Sequence, residues 1–262
     1  MMHPKFSNKA VIITGGASGI GAALARTFSE EGASVLIADL NAEAGEALVG
    51  ELGERCLFRS VDVADAASVS EMVEFAVSQL GGIDVLCNNA GIGCVGVTPD
   101  LPVETWRQVL AVNLDAVFYA CRAAIPHMIA RGGGAIVNTA SASGLQADYA
   151  FTAYNAAKAG VVNYTRCLAI DHARQGIRAN CVCPGPVRTP LLNLDPFPGL
   201  QSHWENIVPA GRFAEPDEVA AAIAFLASDA ASFISGAALP VDGGLTAHTG
   251  QPDLRSVMSP QT

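Results

Sequence analysis

The sequence predicts a single α/β domain, a doubly wound sheet of seven parallel strands with helices on both faces. Three observations predict it. Short aliphatic runs alternate with amphipathic stretches from the start of the chain to about residue 240, the pattern of crossover units that join parallel strands. The runs, AVIIT, SVLIAD and AIVNT among them, are near-continuous apolar blocks, as strands covered on both faces should be. The chain has 262 residues, 50% of them hydrophobic and 15% charged. That is enough apolar material for one large core, and no Gly/Ser/Pro-rich linker divides it.

In order, the strands are Ala10–Thr14, Ser34–Asp39, Cys56–Val61, Val85–Asn88, Ala135–Thr139, Arg178–Cys183 and Ala238–Val241. The helices between them are Gly19–Glu31, Ala42–Leu52, Ala66–Leu80, Glu104–Ala130, Thr152–Gln175 and Pro216–Ser228. Asp65 is placed to cap the third helix and Pro216 fits the first turn of the last one. Gly53, Gly81 and Gly132 follow helix ends, where a left-handed residue is useful. The irregular stretch Val187–Phe213 has the length of a functional lid. The polar tail Thr246–Thr262 either touches a neighbouring subunit or has no role. The helices Glu104–Ala130 and Thr152–Gln175 carry apolar residues on more than one face, including Val109, Val112, Val117, Phe118, Val161, Val162 and Leu168. One face suits the sheet and the rest call for a partner, so a homotetramer, or at least a dimer, is expected.

The formal net charge is −10. No basic stripe is available to neutralise phosphates, which excludes nucleic acid and disfavours anionic membrane surfaces. MMHPKFSNKA has no apolar signal-peptide core and no apolar run approaches bilayer-spanning length, so a cytoplasmic protein is expected. The seven cysteines (Cys56, Cys87, Cys94, Cys121, Cys167, Cys181, Cys183) sit mostly in apolar contexts and read as small hydrophobes. Cys181-x-Cys183 has no second pair or nearby histidine to complete a four-ligand set, so no metal is expected.

The first strand runs straight into Thr14-Gly15-Gly16-Ala17-Ser18-Gly19-Ile20-Gly21, followed by a helical pattern. Glycines there permit a tight turn and close approach of backbone N–H groups to a pyrophosphate at a helix N-terminus, a Rossmann-like arrangement. Asp39 ends the second strand about twenty residues on, where a carboxylate can accept from both adenosine ribose hydroxyls. Neither Ser18 nor Leu40 supplies a cation for a 2′-phosphate, so NAD is expected rather than NADP. Asp62-Val63 after the third strand could meet the adenine, and Asn88-Asn89-Ala90-Gly91 after the fourth leaves room for the cofactor. Each could also be simple strand-end turn chemistry.

After AIVNT comes Ser141, and thirteen positions later Tyr154-Asn155-Ala156-Ala157-Lys158. A helix sets Tyr154 and Lys158 on one face, one turn apart. Tyrosine is a poor acid or base near neutral pH, but a nearby ammonium favours the phenolate and makes the pair a proton donor or acceptor. Ser141 can hold the carbonyl or alkoxide oxygen as charge develops on it. Ser143 competes for that role, and the gap to Tyr154 favours Ser141.

With TGGASGIG (Thr14–Gly21), NNAG (Asn88–Gly91), Asn113 in VLAVNLDAVF, Ser141, YNAAK (Tyr154–Lys158), PGPVRTP (Pro184–Pro190) and VDGG (Val241–Gly244) in this order, the chain strongly resembles the short-chain dehydrogenase/reductase family from about Lys9 to Gly244. The resemblance implies that Tyr154 is the acid/base and Ser141 the oxygen-positioning hydroxyl. It implies that Lys158 also binds the nicotinamide ribose, and that Asn113 holds a water linking Lys158 to a proton relay. It assigns the backbone around Pro184, Gly185 and Val187 and the Thr189 hydroxyl to the nicotinamide carboxamide, with Ile20 and Val112 lining the cleft.

The reaction expected is hydride transfer between NAD(H) and a secondary alcohol or ketone, a small molecule that is mainly apolar and bulky or cyclic. The lid offers Leu191, Leu192, Leu194, Phe197, Leu200, Trp204 and Ile207, and the loops opposite add Cys94, Val95, Leu145 and Tyr149. Arg188 and Arg212 only flank this apolar segment. Alternatives are a 3-oxoacyl-thioester or sugar dehydrogenase of the same family, an extended-type epimerase, and a non-catalytic NAD(H) sensor. An enoyl reductase should space its Tyr and Lys further apart, and a sensor should have lost Tyr154 or Lys158.

Overall fold

The computed structural model describes residues 5–192 and 199–251. Strands β1 (Ala10–Thr14), β2 (Ser34–Asp39), β3 (Cys56–Ser60), β4 (Val85–Asn88), β5 (Gly134–Thr139), β6 (Ile177–Pro184) and β7 (Ala238–Val241) form one parallel sheet in the order β3-β2-β1-β4-β5-β6-β7. The helices are α1 (Gly19–Glu30), α2 (Ala42–Leu52), α3 (Ala66–Leu80), α4 (Val103–Leu110), α5 (Ala116–Ala130), α6 (Ala142–Leu145), α7 (Thr152–His172), α8 (Leu200–Ile207) and α9 (Pro216–Ala227).

Side chains alternate along a strand, so each strand feeds two cores. Ile12, Leu36, Leu86 and Ile136 pack with α3, α5 and α7 on one face. Val11, Ile13, Val35, Ile37 and Val137 pack with α1, α2 and α9 on the other. Local signals behave as their chemistry requires. Asp65 accepts from the Ala67 amide at 2.9 Å, and Pro216 opens α9 beside a capping box of Glu215 and Glu218. Gly53, Gly81 and Gly132 all take positive φ after helix ends.

Several expectations need correction. Glu104–Ala130 is not one α-helix, because the ladder widens into a π-helical turn at Ala111–Asp115. There the Asn113 side-chain amide donates to the Val109 carbonyl at 3.0 Å, and a polar group entering the ladder displaces the regular bonding. Thr152–Gln175 is α-helical only to His172 and ends in a 3₁₀ turn, Ala173–Gln175. The Val187–Phe213 segment is not wholly irregular, since α8 lies within it. Leu194 and Phe197 fall outside the described residues, as does the tail from residue 252.

The helical run Val103–Ala130, 28 residues, is long and apolar enough to cross a bilayer by length and composition, contrary to expectation. Its Val117, Ala120, Cys121, Ala124 and Met128 are buried on the sheet, as in a core helix. The apolar residues on more than one face of this run and of α7 divide between the core and the surface. Val109, Val117, Val161, Val162 and Leu168 are buried within the chain. Phe118 remains 46% exposed, joined by Ile170 at 78% and by Phe225 and Phe233.

Candidate active site

The strand order reverses between β1 and β4, and in open parallel sheets such a switch point opens a crevice at the carboxyl ends of the strands. Thr14 closes β1, and its Oγ1 accepts from the Asn89 and Ala90 amides at 3.0 and 3.2 Å. Asn89 Nδ2 donates to the Gly15 carbonyl at 3.1 Å. Gly15 has φ +62° and a Cβ there would lie 2.7 Å from Ala90 Cα, so only glycine fits. A Cβ on Gly19 would lie 3.0 Å from Thr189 Cγ2. The glycine loop, the Asn89–Gly91 turn and the Pro184–Thr189 segment therefore meet around one cleft.

The donor set of that cleft suits a dinucleotide. Ser18 is the N-cap of α1, exposed and making no side-chain cap bond. The Ala22 amide, donating to the Ser18 carbonyl at 3.1 Å, starts the helical ladder, so the Gly19, Ile20 and Gly21 amides precede it, as a pyrophosphate needs. Asp39 is held facing this loop, accepting from the Ala17 and Asn41 amides at 3.0 Å each. Each carboxylate oxygen keeps a lone pair for a ribose hydroxyl. Leu40 beside it is 66% exposed and carries no charge. Asp62 accepts from the Ala64 amide at 2.9 Å, which is turn chemistry, and Val63 is buried.

Ser141, Tyr154, Lys158 and Asn113 converge further along the crevice. Ser141 caps α6, accepting from the Ser143 amide at 3.1 Å. Lys158 is buried and donates to the Thr139 carbonyl at 2.8 Å, with its Nζ 5.6 Å from the Tyr154 ring centroid. Asn113, also buried, donates to the Ile92 carbonyl at 2.9 Å and accepts from its amide at 3.3 Å. A Cβ on Gly91 would stand 2.8 Å from Asn113 Oδ1 and 3.5 Å from Lys158 Nζ. Asn113 and Lys158 thus face one another across the Gly91 backbone, although the Asn113 side chain is committed to Ile92 and Val109. Val112 and Ile20 are partly buried.

Electrostatics set the acid–base poise. Burial pushes the Tyr154 phenol above its ordinary value, the hydrogen bond with Ser141 pulls it back, and the negative charge of Asp148 adds to the rise. Burial pushes Lys158 down to about 8. Near neutral pH the lysine is still a cation, and its charge, like the Ser141 hydrogen bond, favours the phenolate.

The substrate-side residues divide. Cys94 packs against the same small cluster of buried Val109, Ala153 and Ala157 as Tyr154 does, and Leu145 packs on the helix-side core. Val95 and Leu191 are exposed, Tyr149 fully so, and Leu192 is half-buried. Trp204 is half-buried against Phe213, with ring centroids 5.9 Å apart. The Gly96 amide donates to the Ala150 carbonyl at 2.7 Å, which ties the two loops together. Arg188 pairs with Glu215 at 3.0 Å and Glu205 at 3.4 Å, and Arg212 with Glu218 at 2.7 Å, so both flanking cations are already neutralised. Not foreseen were the Thr139 carbonyl under Lys158 and Asp148 beside Ser143. A main-chain acceptor and a loop carboxylate leave no motif in the sequence.

The family described as "Enoyl-(Acyl carrier protein) reductase" matches residues 15–246. The chain is 45% identical over 251 residues to meso-2,3-butanediol dehydrogenase of Serratia marcescens, covering 95% of this chain and 99% of that protein. It is 42% identical over 250 residues to cyclohexanol dehydrogenase of an Acinetobacter strain, covering 94% and 98%. The crystal structure of levodione reductase superposes with a TM-score of 0.89 at 35% identity, covering 92% of this chain and 99% of that one.

Proposed function

This chain belongs to the short-chain dehydrogenase/reductase family, an oxidoreductase acting on CH–OH groups, and from that premise we propose that it is NAD(H)-dependent and interconverts a mainly apolar secondary alcohol, cyclic or otherwise bulky, with its ketone. The observation that carries the reading is the convergence of Ser141, Tyr154 and Lys158 beside the crevice at the switch point. Bound NAD⁺ would take the hydride from the carbinol carbon. Tyr154 takes the hydroxyl proton, Ser141 holds the oxygen through the change in charge, and Lys158, fixed by the Thr139 carbonyl, supports the phenolate. The glycine-loop amides and Ser18 would hold the pyrophosphate, Asp39 the adenosine ribose, and Thr189 with the Pro184–Val187 backbone the carboxamide. Exposed apolar Val95, Tyr149 and Leu191 support an apolar substrate. The one-turn spacing of Tyr154 and Lys158 favours alcohol chemistry over enoyl reduction, despite the description of the matching family. Seven free cysteines support a cytoplasmic setting.

A panel of secondary alcohols and ketones assayed with NAD(H) and NADP(H) tests this. NAD(H) should be preferred over NADP(H), and cyclic secondary alcohols should be turned over better than small linear ones. Asp39→Ser combined with Leu40→Arg should lower kcat/KM with NAD(H) by roughly ten- to hundred-fold, the scale of a lost hydrogen bond to a charged group, while raising it with NADP(H). A parent that uses both cofactors equally well would overturn the role of Asp39, and NADH binding without turnover of any carbonyl would favour the sensor alternative.

The exposed Phe118, Ile170, Phe225 and Phe233 support a homotetramer. Light scattering at micromolar concentration should give a mass near four times the 26.9 kDa of one chain. Phe118→Asp and Phe233→Asp should each yield smaller species, and a monomeric parent would contradict the assignment.

A further inference from the structure

One polar feature beside the reacting serine has no part in the chemistry above. Ser141 Oγ donates to Ser143 Oγ at 3.1 Å, and Ser143 Oγ donates to Asp148 Oδ2 at 2.5 Å. We propose that Ser143 and Asp148 form a subsite for a second hydroxyl, on the carbon next to the one oxidised, so that the preferred substrates are vicinal diols. This rests on the alcohol-oxidising reading of the site and narrows its substrate class.

Proton accounting gives the subsite its polarity. Asp148 Oδ2 accepts from Ser143 Oγ, which turns the Ser143 proton toward the carboxyl group. That leaves a Ser143 lone pair, which here receives the Ser141 proton. When the reacting oxygen of a substrate takes the Ser141 proton instead, the Ser143 lone pair and the remaining carboxylate lone pairs are unfilled acceptors. A neighbouring hydroxyl supplies the donor they need, whereas a neighbouring carbonyl or carboxylate supplies none. The spacing also fits. Ser141 Oγ and Ser143 Oγ are a hydrogen-bond length apart, as are two gauche oxygens on neighbouring carbons.

The subsite is held in place. Asn155 clamps the backbone of Asp148, donating to its carbonyl at 2.9 Å and accepting from its amide at 3.4 Å. Two residues on, Ala150 has φ +62°, a strained conformation for a residue with a Cβ, and its carbonyl takes the Gly96 amide. Ser143 is buried while Asp148 is exposed at the mouth, within reach of an incoming ligand. The carboxylate also opposes the phenolate form of Tyr154. That disadvantage is the same for every alcohol, whereas the gain from a second hydroxyl comes only with a diol.

The test compares cyclohexanol with the cis and trans vicinal cyclohexanediols, in the parent, Asp148→Ala and Ser143→Ala, with NAD⁺. The readout is the ratio of kcat/KM for diol over mono-alcohol, in which any general loss cancels. The parent should favour one of the diols by roughly ten- to hundred-fold, and Asp148→Ala should bring that ratio close to unity, mainly through KM. Asn155 grips only the backbone of residue 148, so the alanine variant keeps its loop anchored, and NADH binding and melting temperature check that it is folded. A parent ratio near unity, or a ratio that Asp148→Ala leaves unchanged, overturns the subsite while cyclohexanol turnover upholds the alcohol reading. If cyclohexanol and both diols are inert, that reading fails and the subsite falls with it.

Discussion

Tyr154→Phe lowers kcat by about a hundred- to ten-thousand-fold in both directions, the usual contribution of a positioned acid or base, and leaves NADH binding nearly unchanged. The substitution removes one oxygen and keeps the ring, which packs against the cluster of buried Val109, Ala153 and Ala157 and edge-on to Phe151. The fold therefore has no reason to respond. What is lost is the phenol at the Ser141 end of the crevice, the group to which the transfer of the carbinol proton is assigned. Ser141 is no substitute, because an aliphatic hydroxyl is a far weaker acid. The glycine loop and Asp39, to which the dinucleotide contacts are mainly assigned, are untouched. Stopped-flow oxidation of an alcohol, with NADH fluorescence titration alongside, reads both quantities. A variant with near-parental turnover would remove Tyr154 from the chemistry.

Much of this was legible in the sequence because its causes are local. Strands buried on both faces must be apolar at successive positions, so AVIIT and SVLIAD stand out. Tyr154 and Lys158 fall on one face through helical periodicity alone, and the TGGASGIG loop needs its glycines for the close approach of Gly15 to Ala90. The errors arose where a cause is distant. The helical pattern continues smoothly through Ala111–Asp115, but the group that draws Asn113 inward is the Ile92 backbone, on a separate loop. Val161, Val162 and Leu168 belong to an apolar stripe wider than one sheet contact, and sequence alone does not say which part of such a stripe meets a partner. In the fold α7 packs on β6, on α6 and on the π-helical turn as well, which buries that stripe within the chain. Asp148 lies beside Ser143 with its backbone held by Asn155, a contact across seven residues that leaves no local pattern. The Thr139 carbonyl that holds Lys158 is a backbone atom, which any residue could have provided.

Lys158→Met should show its largest loss at neutral pH and a smaller one under alkaline conditions. The Lys158 ammonium is buried, and its value is pushed down to about 8 against the ordinary 10.5. The cation is therefore present at neutral pH and lost as pH rises through about 8. While present it offsets two influences on Tyr154, burial and the Asp148 charge, that both oppose the phenolate. Methionine leaves only the Ser141 hydrogen bond to oppose those influences at every pH, so phenolate formation, and with it alcohol oxidation, moves to higher pH. Near pH 7 the loss should be about a hundred-fold or more, and it should narrow above about pH 9, where the parent has also lost its cation. Stability supplies an independent readout. Because the folded-state value lies below the unfolded one, burying the ammonium costs stability at neutral pH, and the cost shrinks as pH rises from about 8 to 10.5. Methionine removes that cost but leaves the Thr139 carbonyl without its donor, a penalty of about 1–3 kcal/mol. The two nearly offset, so the melting temperature at neutral pH should change little while activity collapses. A parent-to-variant rate ratio constant from about pH 6 to about pH 10 would show that Lys158 does not act through its charge on Tyr154.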